Sequence, residues 1–312
     1  MKKKTLKHTK RHKSYGNVLL ILAGLSILLS LFYANFSVSV KKKEVKKAYG
    51  STINYSKASF KDLFGHSLDL APTASPTAKI TPTPTEQPPS GFCLNVPVLM
   101  YHHVEPYELA KKEGHAQLTV DAGTFDNQMK YLAEKGYNTI SAEELVRALI
   151  AHTPLPPKTI VVTLDDGYSD NYSYAFASAK KYNIKINLMI PTGLLGNSGY
   201  MTWDNLKEMV NSGLVYAYDH TWSHYSIAKG PYEKVEQEIV LAKQQLEQQL
   251  GKPVVIFTYP YGPSSQMAIE ILKKNGFLGA FTTNPSHIQC DSYIYTLKRT
   301  RIGNASLSSY GI

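Results

Sequence analysis

Two adjacent carboxylates, Asp165 and Asp166, close an apolar, β-branched run in VVTLDDGY, and two imidazoles four residues apart, His220 and His224, stand in DHTWSH. Neighbouring acids in a partly buried place repel each other, and a cation or a shared proton makes their joint presence tolerable. Two histidines at that spacing can turn the same way and hold one metal ion. One carboxylate of the aspartate pair would complete a set of two nitrogens and one oxygen, leaving positions for water and substrate. That is the donor set of a catalytic metal rather than of a closed structural one. Each group also has a plainer reading: the aspartates as caps of the next helix, the histidines as surface residues. Capping accounts for one aspartate, not for both with Gly167. A further polar pair, His102 and His103, ends VPVLMYHH, and YPYG, which carries Tyr261, ends a later apolar run.

These groups must be placed by the elements that precede them. Short apolar runs alternate with helical patterns along 92–304. Strands are expected at 96–103, 137–140, 159–166, 184–190, 214–219, 254–259 and 278–283, with a last one at 293–297. Helices are expected at 125–135, from 141 with Ser141 and Glu144 in capping-box spacing, at 169–182, at 202–213 with Thr202 as cap, from Pro231 as first helical residue to Gly251, and at 264–276. Serial β-α units point to a parallel sheet, and a closed or partly closed barrel is the economical solution. The polar groups sit at the carboxyl ends of their runs, which a barrel gathers on one face.

The formal charge of +10 suggests nucleic acid until it is mapped. Residues 1–47 hold twelve lysines and arginines against one acid, Glu44, so the rest of the chain is close to neutral and a nucleic-acid partner loses its support. Between the basic clusters run seventeen uncharged residues, Val18 to Ala34. At about 1.5 Å of rise per residue they match the hydrocarbon core of a bilayer. The division expected is a basic cytoplasmic tail at 1–16, a transmembrane anchor at 17–40 and a Pro/Thr-rich juxtamembrane linker within 41–91. A catalytic domain at 92–304 and a C-terminal tail at 305–312 complete it. A cleaved signal peptide is the alternative to the anchor. Either one exports the rest of the chain: a single-pass membrane protein with its domain outside the cytoplasm, or a secreted one. Cys93 and Cys290 flank the domain and either pair or remain free thiols.

TLDDGY, then HTWSH, then YPYG resembles the polysaccharide deacetylases, the NodB-homology carbohydrate esterases, whose motifs run TFDDG, H(S/T)xxH and RxPY. The resemblance covers about 92–304 and implies a distorted, TIM-like (β/α)7 barrel. It also implies hydrolysis of N-acetyl groups on a GlcNAc-containing polysaccharide, an exopolysaccharide or peptidoglycan. A divalent metal is implied with it, zinc first, with cobalt or nickel as alternatives. By that resemblance Asp165 is the general base and Asp166, His220 and His224 bind the metal. VPVLMYHHVEP is similar to the branch that includes the poly-N-acetylglucosamine deacetylases, in which the catalytic histidine lies on the first strand, and this makes His102 the acid. His103 would be a neighbour in the site. The backbone N–H near Tyr261 would serve the oxyanion, and Tyr168, Trp203, Trp222 and Tyr261 would offer faces to sugar rings. The third motif carries Thr258 where arginine is usual, and Arg299 or Arg301 could supply the missing charge beside Asp165 or sit solvated at an edge. Asp219 either orients His220 or ends its strand. A glycan-binding pseudoenzyme and an O-acetyl esterase of the xylan type are the alternative functions on this scaffold.

Overall fold

The computed structural model describes residues 90–312. The expected basic tail, membrane span and linker lie outside the described residues, apart from the last two positions of the linker. Among the described residues no helix is long and apolar enough to cross a membrane.

The strongest element is the seven-residue strand β6, Thr159–Asp165, whose every residue is buried. β-Branched residues fit a pleated surface covered on both sides, which is the position of a central strand in a parallel sheet. β6 lies between β2, Val98–Tyr101, and β7, Ile186–Ile190. Beyond β7 the parallel sheet continues through β8 (Val215–Asp219), β9 (Ile256–Thr258) and β10 (Gly279–Phe281), and beyond β2 it ends with β12 (Thr300–Arg301). β5, Asn138–Thr139, pairs with the start of β6. The sheet is curled. Leu297 bridges Phe281 of β10 while Thr300 and Arg301 pair with β2, so one run, 297–301, touches both edges.

Alternation along each strand sorts side chains onto two faces. Leu99, Val162, Leu164, Leu188 and Phe257 join the larger core, which takes in apolar residues of the helices α2 (Ala122–Glu134), α4 (Phe176–Tyr182), α5 (Trp203–Asn211), α6 (Tyr232–Leu250) and α7 (Gln266–Lys274). Val98, Val161, Met189, Tyr218, Ile256, Phe281 and Leu297 form a second cluster with Leu145, Val146 and Leu149 of α3, Ala142–Ile150. Asp165 has the parity of Val161 and Thr163, so the fold aims it to the side of this second cluster. α3 begins with the expected capping box between Ser141 and Glu144, and Thr202 caps α5 in the same way with Asn205.

Several expectations change. The run 96–103 is two strands: β2 stops at Tyr101, and β3, His103–Glu105, leaves the main sheet to pair with β4, Thr119–Asp121. His102 is the joint between them. The helix after Ser169 opens as a π-turn, Asn171–Ala175, before α4. Pro231 caps α6 from outside rather than starting it. The run 293–297 is no strand, because a turn closed by Thr296 N–H to Tyr293 carbonyl breaks it, and the last strand is β12. The tail at 305–312 packs on the main core through Leu307 and Ile312. A short helix, α1 (Tyr107–Glu113), and an antiparallel pair, β1 (Cys93–Asn95) with β11 (Ile288–Cys290), were not expected.

Cys93 and Cys290 form a disulfide across β1 and β11, joining positions 197 residues apart. Closing so long a loop restricts the unfolded chain, so reduction should cost about 2–5 kcal/mol. The urea midpoint of the wild-type chain is expected to fall with dithiothreitol, and that of a Cys93→Ala/Cys290→Ala variant to be indifferent to it.

Candidate active site

Asp165 and Asp166 follow each other but meet different partners. Asp165 is held by Arg299, whose Nη1 donates to Oδ1 at 2.7 Å and Nη2 to Oδ2 at 2.7 Å. Arg299 is fully buried; its Nη1 also donates to Thr163 Oγ1 and its Nε to the Thr282 carbonyl. Burial pushes the Asp165 carboxyl up, but the guanidinium outweighs it and holds the acid below the ordinary carboxylate range. Arg301 is exposed and donates to the Gln117 carbonyl, so of the two candidates Arg299 supplies the charge.

Asp166 turns away through a left-handed backbone, φ 74°, while its N–H still donates to the Met189 carbonyl. Its Oδ1 lies 3.4 Å from His220 Nε2 and 3.2 Å from His224 Nε2. His220 is buried, and its Nδ1 meets the Thr258 carbonyl at 2.8 Å. A carbonyl only accepts, so Nδ1 carries a proton, and in the neutral form of the ring a lone pair on Nε2 faces Asp166. Asp166 Oδ1 is itself buried and has no hydrogen-bond donor. An orphaned carboxylate oxygen facing an imidazole lone pair lacks a positive charge between them, and a backbone carbonyl fixing the other ring nitrogen is the usual support of a ligating histidine. The donor set therefore fits a divalent ion, and Asp166, His220 and His224 bring one ligand atom each within 4.8 Å of one another.

Residues 152–280 match the family model for polysaccharide deacetylases. The chain is 27% identical over 217 residues to YxkH of Bacillus subtilis strain 168, a relative bearing the polysaccharide deacetylase name, covering 69% of this chain and 75% of the relative. It is 26% identical to the poly-β-1,6-N-acetyl-D-glucosamine N-deacetylase of Escherichia coli K12, with 70% of this chain and 37% of that enzyme covered. The fold is similar to the Streptococcus pyogenes deacetylase PplD, solved in complex with acetate, at TM-score 0.65 and 27% identity, with 69% of this chain and 96% of that one covered. Residues 152–280 carry a polysaccharide deacetylase domain. This deacetylase spans little more than a third of the Escherichia coli enzyme's length and three quarters of the Bacillus one's.

Backbone strain marks the same place in the deacetylase. Of its described non-glycine residues with positive φ, Asp166, Thr221, His224 and Tyr261 all belong to the site motifs. Such conformations cost of order 1–3 kcal/mol each and persist where surrounding contacts over-determine them. Two acids supply those contacts. Asp219 Oδ1 accepts from Thr221 N–H, and Glu238 on α6 accepts from Ser223 N–H and Oγ. Of the two expectations for Asp219 the structure selects the second: it ends β8, and it shapes the histidine loop instead of meeting the His220 ring, whose Nδ1 is taken by Thr258. Burial pushes the Asp219 carboxyl well above the ordinary range, and its Oδ2 has no partner. Glu238 carried no sequence signal, being one acid among several on an amphipathic helix.

His102 sits half-buried beside the two aspartates; burial lowers its pKa while Asp165 and Asp166 pull it up. Tyr261 is 66% exposed. Its ring meets His224 edge-on at 4.6 Å, and no recorded hydrogen bond of the described residues uses its N–H. Gly262 behind it has φ 100°, and a Cβ there would lie 1.9 Å from Thr283 Oγ1, so no larger residue fits that turn. Trp222 is half-buried against Gly193, whose N–H donates to its carbonyl. Trp203, by contrast, packs on the main core. Tyr168 stacks on His103 at 3.5 Å. His103 is not in the Asp166 set: its Nδ1 pairs with Asp170 at 2.6 Å, in a neighbouring cluster with Glu105 and His115 that the sequence reading missed.

Proposed function

We propose that the protein is a metal-dependent deacetylase that removes N-acetyl groups from a GlcNAc-containing polysaccharide outside the cytoplasmic membrane. The observation that carries this is the division of labour between adjacent acids: Asp166 faces two imidazoles with an orphaned oxygen, while Asp165 is kept ionised and oriented by a buried arginine. Relatives named for poly-β-1,6-N-acetyl-D-glucosamine support the substrate class.

A divalent ion held by Asp166, His220 and His224, zinc by its donor set, supplies Lewis acidity, acidifying water and polarising an acyl oxygen. Asp165 accepts the proton of the attacking water, a carboxylate being able to do so once water is acidified. The Tyr261 N–H donates to the oxygen that gains charge. His102 gives the proton that lets the sugar nitrogen leave as an amine. Trp222, Tyr168 and Tyr261 offer ring faces to the sugar. The Cys93–Cys290 disulfide supports an oxidising, extracytoplasmic location, and the uncharged run at 17–40 supports a membrane tether. With both sheet edges paired to 297–301, we read the curled sheet as a distorted seven-fold barrel.

The full-length chain should release acetate from an N-acetylglucosamine oligomer, lose that activity to a chelator and regain it with zinc or cobalt. Release from acetylated xylan alone would move the reading to an O-acetyl esterase. Glycan binding without acetate release by metal-loaded protein would select the pseudoenzyme.

A further inference from the structure

A second group of ligating side chains lies apart from the Asp166 set. Alternation along β3 puts His103 and Glu105 on one face. α1 ends at Gly114 in the left-handed region, φ 85°, and the chain turns His115 back onto that face. One donor atom each from His103, Glu105 and His115 lies within 4.8 Å of the others. His115 Nε2 contacts Glu105 Oε1, and the His115 ring stacks on His103 at 4.1 Å with 9° between planes, so an ion shared by both rings requires the partly exposed His115 ring to turn. Glu113 Oε2 reaches to 4.0 Å from the same His115 nitrogen.

Three features of this cluster bear on a ligand. Asp170 Oδ2 takes His103 Nδ1, while its Oδ1 accepts from Val104 N–H and Asn171 Nδ2. A carboxylate only accepts, so Nδ1 carries a proton, and in the neutral form of the ring Nε2 is the electron-pair donor, the support given to ligating histidines. Glu105 and Asp170 are both buried acids whose recorded ion pairs are with histidines alone. Neutral imidazoles would leave two negative charges in one buried place, which a dication cancels. The three residues also line a cavity of about 630 Å³ with Tyr168, Tyr174 and Tyr200, so further coordination positions open onto accessible space.

We propose that His103, Glu105 and His115 form a second divalent-metal site, separate from that of Asp166, His220 and His224. Two imidazole nitrogens and one carboxylate suit zinc better than magnesium or calcium, which take oxygen donors. The ion ties the return from α1 to β3 and so pins the wall of the cavity beside Tyr168.

The test is zinc content. Full-length protein stripped with a chelator and dialysed back against zinc is compared as wild type, His115→Gln, Glu105→Gln, Asp166→Asn and Asp166→Asn/His115→Gln. His115→Gln and Glu105→Gln are each expected to lose one zinc per chain, Asp166→Asn to lose one, and the combination to lose two. Wild-type zinc content in folded His115→Gln and Glu105→Gln proteins overturns the second site, whatever Asp166→Asn shows. A loss confined to those two variants leaves the second site standing and removes the first. A readout that needs no variant is protection of His115 from diethyl pyrocarbonate, mapped by mass spectrometry on the wild-type chain. Zinc is expected to suppress labelling there, and unchanged labelling overturns the proposal.

Discussion

Replacing Asp165 with asparagine is expected to lower kcat by about 10²–10⁴-fold, the range for a positioned general base, while zinc content stays at the wild-type level. The amide is nearly isosteric, so Arg299 keeps an oxygen acceptor at that position as well as Thr163 Oγ1 and the Thr282 carbonyl. Asp166, which faces the imidazoles, is untouched, and a merely displaced metal would show in the analysis. KM should change little, because the lost function is proton transfer rather than sugar binding. Acetate release at near wild-type kcat by a metal-replete variant would assign the base elsewhere.

Arg299→Met is expected to destabilise the fold by about 3–5 kcal/mol, since it strands a buried carboxylate that has lost both of its charge-assisted bonds. Removing both partners costs less than removing one, so Asp165→Asn/Arg299→Met should recover part of the loss, and a urea double-mutant cycle measures the difference. The pH dependence follows from the sign of the shift. In the wild type the folded pKa of Asp165 lies below its unfolded value of about 3.9. The pair's contribution is thus complete above that value and is lost as pH falls through the folded one. In Arg299→Met the carboxyl stays buried without its guanidinium, its pKa rises, and protonation relieves the penalty. The gap between the two proteins should therefore begin to narrow above about pH 4, as pH falls through the variant's raised pKa, and narrow further as pH falls through the wild type's folded one. A cost under about 1 kcal/mol at neutral pH would mean that the pair is not the anchor of Asp165.

Much of this site was legible because its signals are local. The aspartate pair, the histidine pair and the caps at Ser141 and Thr202 are each written within a few residues, and short apolar runs between helical patterns marked the strands. Arg299 was legible only as one of two candidates. Its partner is 134 residues away, and LKRTRIG does not say which arginine turns inward. Hydropathy read 96–103 as one strand because the apolar run 96–101 leads straight into the two histidines; it carries no mark of the change of sheet at His102. The site around His103 stayed hidden for the same reason, since Glu105, His115 and Asp170 come together through β3, the return from α1 and the loop after β6. Asp219 was legible as one of two alternatives, and the structure selects the second: it ends β8, and its carboxylate accepts from Thr221 N–H rather than meeting the His220 ring.

The amino-acid sequence by itself determined the chemistry: which groups hold lone pairs and charge, that they stand at strand ends, and that a parallel α/β sheet carries them. Only the tertiary structure decided the pairings: Arg299 with Asp165, Thr258 with His220, Glu238 with the histidine loop, and Cys93 with Cys290. The physical reason is range. Strand alternation and capping act between residues a few positions apart, whereas an ion pair or a ligand set depends on which distant segments the curl of the sheet brings within a few ångströms.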